Sequence, residues 1–341
     1  MTSGEVVEEF EKKFGSFIGT KHAIALNSGT VALHAILSAL KLSSNDEVVV
    51  PANTFISTAF AVLYVGAKPV LADCDIDTFN VTAETIERSL SSKTKAVIIT
   101  HIGGNPCEMD EIVKLCQEKD LTLIEDAAHA HGSKYRGRLC GAFGLANAFS
   151  FYPTKVITSG EGGMVTTNSK EIYEYIRTFR NVGRTEIGHG PIVMLGYNYR
   201  MSNIHAVIGL NQLRHLEEFL KKRNELAKIY SQELEKIEWI EPQKVYTHSF
   251  SSYYAYIVKI LPNSPVSRDA LMKYLREKGV ETTIMFKPVH VQPCFKSVFD
   301  IQNRYPNAEL VGTNSLVLPL HVGMTIEDVD YVISALKSVK E

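Results

Sequence analysis

The chain is poor in the features that would place it in a special class. Its 341 residues include five cysteines (Cys74, Cys107, Cys116, Cys140 and Cys294), which are odd in number and form no C-x-x-C pair. A disulfide framework and a thiolate zinc site are thereby excluded, and the expectation is a set of reduced thiols in a cytoplasmic protein. Charge of one sign is lacking too: 36 basic against 38 acidic residues leave a net charge of −2. That offers no electrostatic footprint for nucleic acid or an anionic membrane. There is no internal repeat and no low-complexity tract. Met1–Phe14 is acidic and amphipathic, unlike a signal peptide. One uncharged run, Val48–Ala67, is long enough to cross a bilayer, but Pro51, Asn53, Thr54, Ser57 and Thr58 interrupt it. A buried strand at Glu47–Val50, a loop and a short buried helix are expected there, and no membrane span.

What is present is an ordinary globular composition, 45% hydrophobic and 22% charged. The length points to roughly two domains. Short β-branched apolar runs at Glu47–Val50, Pro69–Ala72, Ala96–Thr100, Leu121–Ile124, Ala146–Phe151 and Gly163–Thr167 alternate with helical patterns such as Ala83–Leu90 and Met109–Lys119. Near-continuous apolar strands separated by helices predict an α/β fold, with a mostly parallel sheet covered by helices on both faces. From Ser202 to about Glu238 the spacing of Ile204, Val207, Ile208, Leu213, Leu216 and Leu220 predicts a long helix. After Pro242 the connectors lengthen. Ser252–Leu261 alternates like a half-exposed strand, and Ser267–Lys278 and Thr325–Ser338 read as helices. The expected organisation is a large domain over 1–235 and a smaller α+β domain over 236–341.

Three segments carry chemistry. Asn27-Ser28-Gly29-Thr30 precedes an apolar helical stripe, Leu33, Ile36, Leu37 and Leu40. A hydroxyl there caps the helix, and the free amides and dipole of the same turn bind phosphate; the tetrapeptide alone fits either use. Asp126 follows the strand Leu121–Ile124, at the edge where open α/β sheets place ligands. It reads either as a helix cap or as the partner of a protonated pyridinium nitrogen. Lys155 ends the run Phe149-Ser-Phe-Tyr-Pro-Thr-Lys155 and is followed by Ser159-Gly-Glu-Gly-Gly163. Most lysines in such loops are simply solvated, yet an anion cradle, a buried acid and a presented lysine are together the parts that hold pyridoxal 5′-phosphate (PLP). Lys155 would then bind the cofactor carbonyl covalently and, once freed, carry the proton between substrate and cofactor. His129 and His131 form an H-x-H pair, but no further ligand stands at metal spacing, so no metal is expected. Gly196-Tyr-Asn-Tyr-Arg200 is either a turn into the long helix or a site lent to a neighbouring subunit.

Taken in order, these segments resemble the sugar aminotransferases of the DegT/DnrJ/StrS group, within PLP-dependent transferase fold type I. The likeness runs from about Phe10 to Val339. It also rests on Pro51-Ala-Asn-Thr-Phe55, Gly66-Ala-Lys-Pro-Val70 and Glu125-Asp-Ala-Ala-His-Ala-His-Gly132. The resemblance implies that Lys155 holds the cofactor, Asp126 pairs with its ring nitrogen, and Gly29, Thr30 and Ser150 bind its phosphate. Asn198 would join them from the partner subunit. Phe55 matches the aromatic position that stacks on the ring, and His129 the position beside the ring hydroxyl. Arg200 from the partner and His290 match positions lining the substrate side. A shared site implies a homodimer.

The same resemblance implies the reaction: L-glutamate gives its amino group to the cofactor and leaves as 2-oxoglutarate, and a nucleotide-linked keto-sugar then takes the group, in a ping-pong cycle. A branch of the family that dehydrates carries histidine in place of the lysine, so Lys155 argues for transamination. Two other readings fit the same residues, an aminotransferase acting on a keto-cyclitol and a PLP-binding regulatory protein without turnover. Departures from the family pattern lie on the substrate side. His101-Ile-Gly-Gly-Asn105 replaces a His-aromatic-Gly pattern, and Ile284-Met285-Phe286 stands where His or Tyr is common. Relatives also usually carry further residues before the segment matching Thr2–Phe14.

Overall fold

The computed structural model describes residues 4–186, 190–298 and 304–339. Its main sheet has seven strands, β1 (His22–Leu26), β2 (Glu47–Pro51), β3 (Lys68–Ala72), β4 (Thr94–Thr100), β5 (Thr122–Asp126), β6 (Ala146–Ser150) and β7 (Gly163–Thr167). Across the sheet they lie in the order β1-β7-β6-β5-β4-β2-β3. All run parallel except β7, which is antiparallel to both neighbours. The expected α/β architecture with a mostly parallel sheet is therefore the observed one.

Both faces of the sheet are buried, and the alternation of strand side chains shows how. Ala96 and Ile98 of β4 join Val48, Val50 and Ile124 in one core, while Val97 and Ile99 join Val49 and Leu123 in another. The helices α1 (Glu5–Ile18), α2 (Gly29–Ala39) and α3 (Ile56–Tyr64) supply much of the cover. Phe10 of α1 meets Phe151 at a tilt and Phe14 meets Phe149 edge to face, with centroids 5.1 and 4.9 Å apart. Val48–Ala67 resolves as expected, with β2 giving way to a loop and then α3. Among the described residues, no helix is long and apolar enough to cross a membrane.

Beyond the sheet, the helix Asn203–Leu234 runs for 32 residues, with Ser202 Oγ accepting the His205 amide at its start. Its Leu210, Leu216 and Leu220 pack with α1, whereas Leu226, Tyr230 and Leu234 pack on a second sheet. That sheet is antiparallel, with Tyr256–Ile260 between Ile240–Pro242 and Ser315–Leu318. Its central strand, expected to be half-exposed, is covered on both faces. Tyr256–Ile260 is buried throughout and not half-exposed, because Ile257 faces the large core while Tyr256, Val258 and Ile260 face the small one. A two-strand link ties the parts together: Ser249–Phe250 pairs with Lys134–Tyr135.

Candidate active site

The carboxyl edge of the main sheet opens into a cleft of about 400 Å³. Loops after β1, β2, β4, β5 and β6 converge on it, as expected where strand order reverses in an open α/β sheet. Gly29, Thr30, Phe55, Asp126, His129, Ser150 and Lys155 all line this one cleft.

One wall is the start of α2. Ser28 caps the helix, its Oγ accepting from the Val31 amide at 3.2 Å. The amides of Gly29 and Thr30 sit in the first turn, where no intrahelical acceptor exists. The positive end of the helix dipole therefore points into the cleft. Glycine is required at 29 by close approach, since a Cβ there would come within 2.8 Å of Ser150 Cβ. The two uses left open for Asn27–Thr30 are compatible: Ser28 caps, and the next two amides face the cleft.

The floor is Asp126, buried at the end of β5. Its carboxylate accepts from Thr58 Oγ1 at 2.7 Å and the Ala128 amide at 3.2 Å. Thr58 in turn pairs with Thr54, and Thr54 with Thr100. Burial pushes the Asp126 pKa up, opposed by Thr58, Ala128 and the Lys155 charge. A carboxylate so placed gains from a cation set against it. His129 is also buried, and its Nδ1 has no hydrogen-bond partner among the described residues. Burial first, and the nearby Lys155 second, depress its pKa well below the ordinary value, so the ring is neutral.

Lys155 stands on a tight turn, its amide bonded to the Tyr152 carbonyl at 2.9 Å. It is half-buried, not the solvated lysine of an ordinary loop. The glycine-rich segment behind it is a turn fastened to the strand end: Ser159 N donates to Phe151 O, Phe151 N to Gly162 O, and Gly160 adopts φ +81°. Phe55 is 54% exposed over the cleft mouth, 6.0 Å from Phe286 between ring centroids.

Three expected residues lie elsewhere in this chain. Asn198 is exposed and bridges to Asn181, and Arg200 donates to Asn181 Oδ1 at 3.0 Å, lining a different surface cleft. His290 is buried against Tyr305 and its Nε2 pairs with Glu309 at 3.0 Å. Conversely, Tyr254 and Phe286 line the cleft from the far end of the chain, stacked with His129 at 4.2 and 5.7 Å. Neither carried a local motif. Phe286 stood out only as a departure from the family pattern, and Tyr254 lay at the start of an apparent strand.

His131 is buried between Phe149 and Phe151, and its pKa is depressed to about 3, chiefly by burial. Behind the cleft, His101, Glu125 and Cys140 bring potential ligand atoms within 4.8 Å of one another. Both carboxylate oxygens and both ring nitrogens there are already engaged, with Cys107, Gly141, Phe143 and Gly144 amides among the partners. The main cleft, in contrast, has the donor set for PLP: helix-terminus amides beside a glycine cradle, a buried acid, a buried imidazole nitrogen with no partner among the described residues, and a presented lysine.

Residues 1–337 match the DegT/DnrJ/EryC1/StrS aminotransferase family. The GDP-perosamine synthase of Caulobacter vibrioides is 38% identical, covering 98% of this chain and 90% of that protein. Among solved structures, the aminotransferase from Psychrobacter cryohalolentis superposes with a TM-score of 0.94 at 31% identity, over 98% of this chain and 91% of that one. A structure from Streptococcus pneumoniae in its PLP form gives 0.93 at 28% identity, over 99% and 92%.

Proposed function

The chain belongs to the DegT/DnrJ/EryC1/StrS aminotransferase family and is a PLP-dependent sugar aminotransferase; we propose that it moves an amino group from L-glutamate to a nucleotide-linked keto-sugar in a ping-pong cycle. The observation that carries this reading is the convergence of the α2 amino terminus, Asp126 and Lys155 on a single cleft.

The geometry supports the following assignment of roles. The Gly29 and Thr30 amides with the Ser150 hydroxyl would hold the phosphate. Asp126, buried and raised in pKa by that burial, would pair with the ring nitrogen and keep its proton in place. His129 donates or accepts beside the ring hydroxyl, and Phe55 covers the ring face. When bound, PLP supplies the carbonyl that receives the amino group and the electron sink that acidifies the neighbouring C–H. Lys155 would hold PLP through that carbonyl. Displaced by the incoming amino group, its Nζ would be free to take the proton from the donor carbon and to return it on the other side of the transferring nitrogen, with the acceptor half as the reverse. Tyr254 and Phe286 narrow the water-accessible volume around Nζ.

We place Asn198 and Arg200 in the partner's cleft of a homodimer. Asn198 is exposed and Arg200 half-buried, and both follow a segment whose Ile192, Val193 and Leu195 are 63, 59 and 82% exposed. Such a patch calls for cover. The placement of His290 does not favour a part in the site of its own chain. We retain 1–235 as the cofactor domain and 236–341 as the smaller one. Four buried, unpaired cysteines support a cytoplasmic setting.

The test is the absorption spectrum of the PLP-loaded protein before and after L-glutamate, followed by a panel of nucleotide-linked keto-sugars. A yellow protein that bleaches with glutamate and regains colour with a keto-sugar is the expected result. Amination of a keto-cyclitol alone would move the acceptor, and a yellow protein indifferent to every donor would favour the regulatory reading.

A further inference from the structure

Tyr254 has no role in the family reading, yet a set of buried contacts fixes its place in the cleft. Its ring lies 4.5 Å beneath Lys155 Nζ and stacks on His129, with centroids 4.2 Å apart and planes 19° apart. Its hydroxyl pairs with Thr154 Oγ1, next to the lysine, at 3.2 Å. The segment that delivers it is bolted down. Ser252 Oγ donates to the His129 carbonyl at 2.7 Å, and Ser252 N donates to Ser133 Oγ at 3.0 Å. Tyr253 adopts φ +45°, a conformation that a non-glycine residue keeps only where its surroundings enforce it. The buried Arg223 enforces it by donating to the carbonyls of Tyr253 and Tyr254.

Building on the assignment of Lys155 as cofactor anchor, we infer that Tyr254 is a positioning residue: its ring face holds the positively charged Lys155 nitrogen and steers it to the cofactor side of the cleft. An aromatic face attracts a cation, the more so when water is excluded. The other titratable or charged groups around this nitrogen are Asp126 and His129 from the end of β5, Glu161 from the turn before β7 and Tyr152 from its own loop, with His131 behind. His129 is neutral and Asp126 is committed to the ring nitrogen. The tyrosine face lies directly against Nζ, 4.5 Å from the ring centroid, and so favours positive charge there in addition to the Glu161 carboxylate that lines the same cleft.

The test reads the pH midpoint of the visible colour of the PLP-loaded protein, which reports protonation of the Lys155 nitrogen joined to the cofactor. Tyr254→Leu lowers the midpoint by about half to one pH unit, and Tyr254→Phe, which keeps the face and loses only the hydroxyl, restores most of it. Fluorinated phenylalanines at this position, nearly unchanged in shape but with a weakened ring face, lower it stepwise; this series holds whether or not the leucine variant folds. A midpoint indifferent to fluorination overturns the inference, as does a shift of equal size in Tyr254→Phe and Tyr254→Leu. Absence of any yellow species in the parent protein, or colour that survives Lys155→Ala, instead removes the assignment of Lys155, and the inference with it.

Discussion

Glu125 and Asp126 are neighbours at the end of β5, and successive side chains of a strand point to opposite faces of the sheet. Their surroundings then drive them apart. Burial raises the Asp126 pKa and its few hydrogen bonds do not cancel that. Burial works on Glu125 equally, but the His101 hydrogen bond and the amides of Gly141 and Gly144 outweigh it and hold its pKa low. The consequences for stability have opposite signs. For Asp126 the folded state holds the proton more tightly than the unfolded chain, so stability falls as pH rises from the ordinary carboxylate range to the raised value. Asp126→Asn is therefore expected to raise Tm of the cofactor-free protein at pH 7 but not at acid pH, while cutting transamination by about 10²- to 10³-fold through loss of the ring-nitrogen partner. Melting curves at the two pH values check the first half, and a variant no more stable than its parent at pH 7 defeats it. For Glu125 the stability is present above the ordinary carboxylate range and is lost as pH falls through the lowered value. Glu125→Ala leaves buried donors unmet and is expected to cost about 3–5 kcal/mol in denaturant titration at neutral pH.

At the scale of elements, α2 shows how one local sequence does two jobs. Alanine is a better helix former than glycine, so Gly29→Ala on propensity alone would stabilise the helix. The Cβ, however, would lie 2.8 Å from Ser150 Cβ and fill the space beside the first amides. The expected outcome is a folded protein whose PLP affinity, measured by absorbance titration, falls about tenfold or more, equivalent to about 1.4 kcal/mol or more. Unchanged affinity would mean that the phosphate lies elsewhere. Elements of this kind were legible in the sequence because cap, glycine and apolar stripe are contiguous. So were β2 to β7, whose apolar runs are bounded by breakers. The strand β1, His22-Ala-Ile-Ala-Leu26, was not: with a single β-branched residue in five it cannot be told from a buried helical turn. Helix ends moved inward, Ala83–Leu90 shortening to Ala83–Glu87, because propensity does not say where tertiary contact stops. Lys155, Asp126 and Gly29 announced themselves through local chemistry, whereas Tyr254 and Phe286 reach the cleft only through the path of the chain around the small sheet, which no local window contains.

That path is a property of the whole molecule, and Arg223 is where it is held. The residue sits on the long helix shared by both cores, 7% exposed, and its Nη1 reaches the carbonyls of Tyr253 at 2.9 Å, Leu320 at 3.1 Å and Tyr254 at 3.4 Å. One guanidinium group thereby joins the helix, the turn that carries Tyr254 to the cleft and the segment after the last strand of the small sheet. Burial lowers its pKa to about 10, which leaves it charged at neutral pH. Arg223→Leu would keep the volume but strand the carbonyls, each costing about 1–3 kcal/mol if left unpaired, so a loss of roughly 3 kcal/mol in total is expected. The same change reaches the cleft without touching it: with the Tyr254 carbonyl released, the ring beneath Lys155 loses its fixed position. The pH midpoint of the PLP colour should fall in Arg223→Leu in the same direction as in Tyr254→Leu, and PLP should still bind. A variant that loses stability while keeping the parent midpoint would show that Arg223 braces the small sheet alone, and that Tyr254 is held by Ser252 and Thr154 without it.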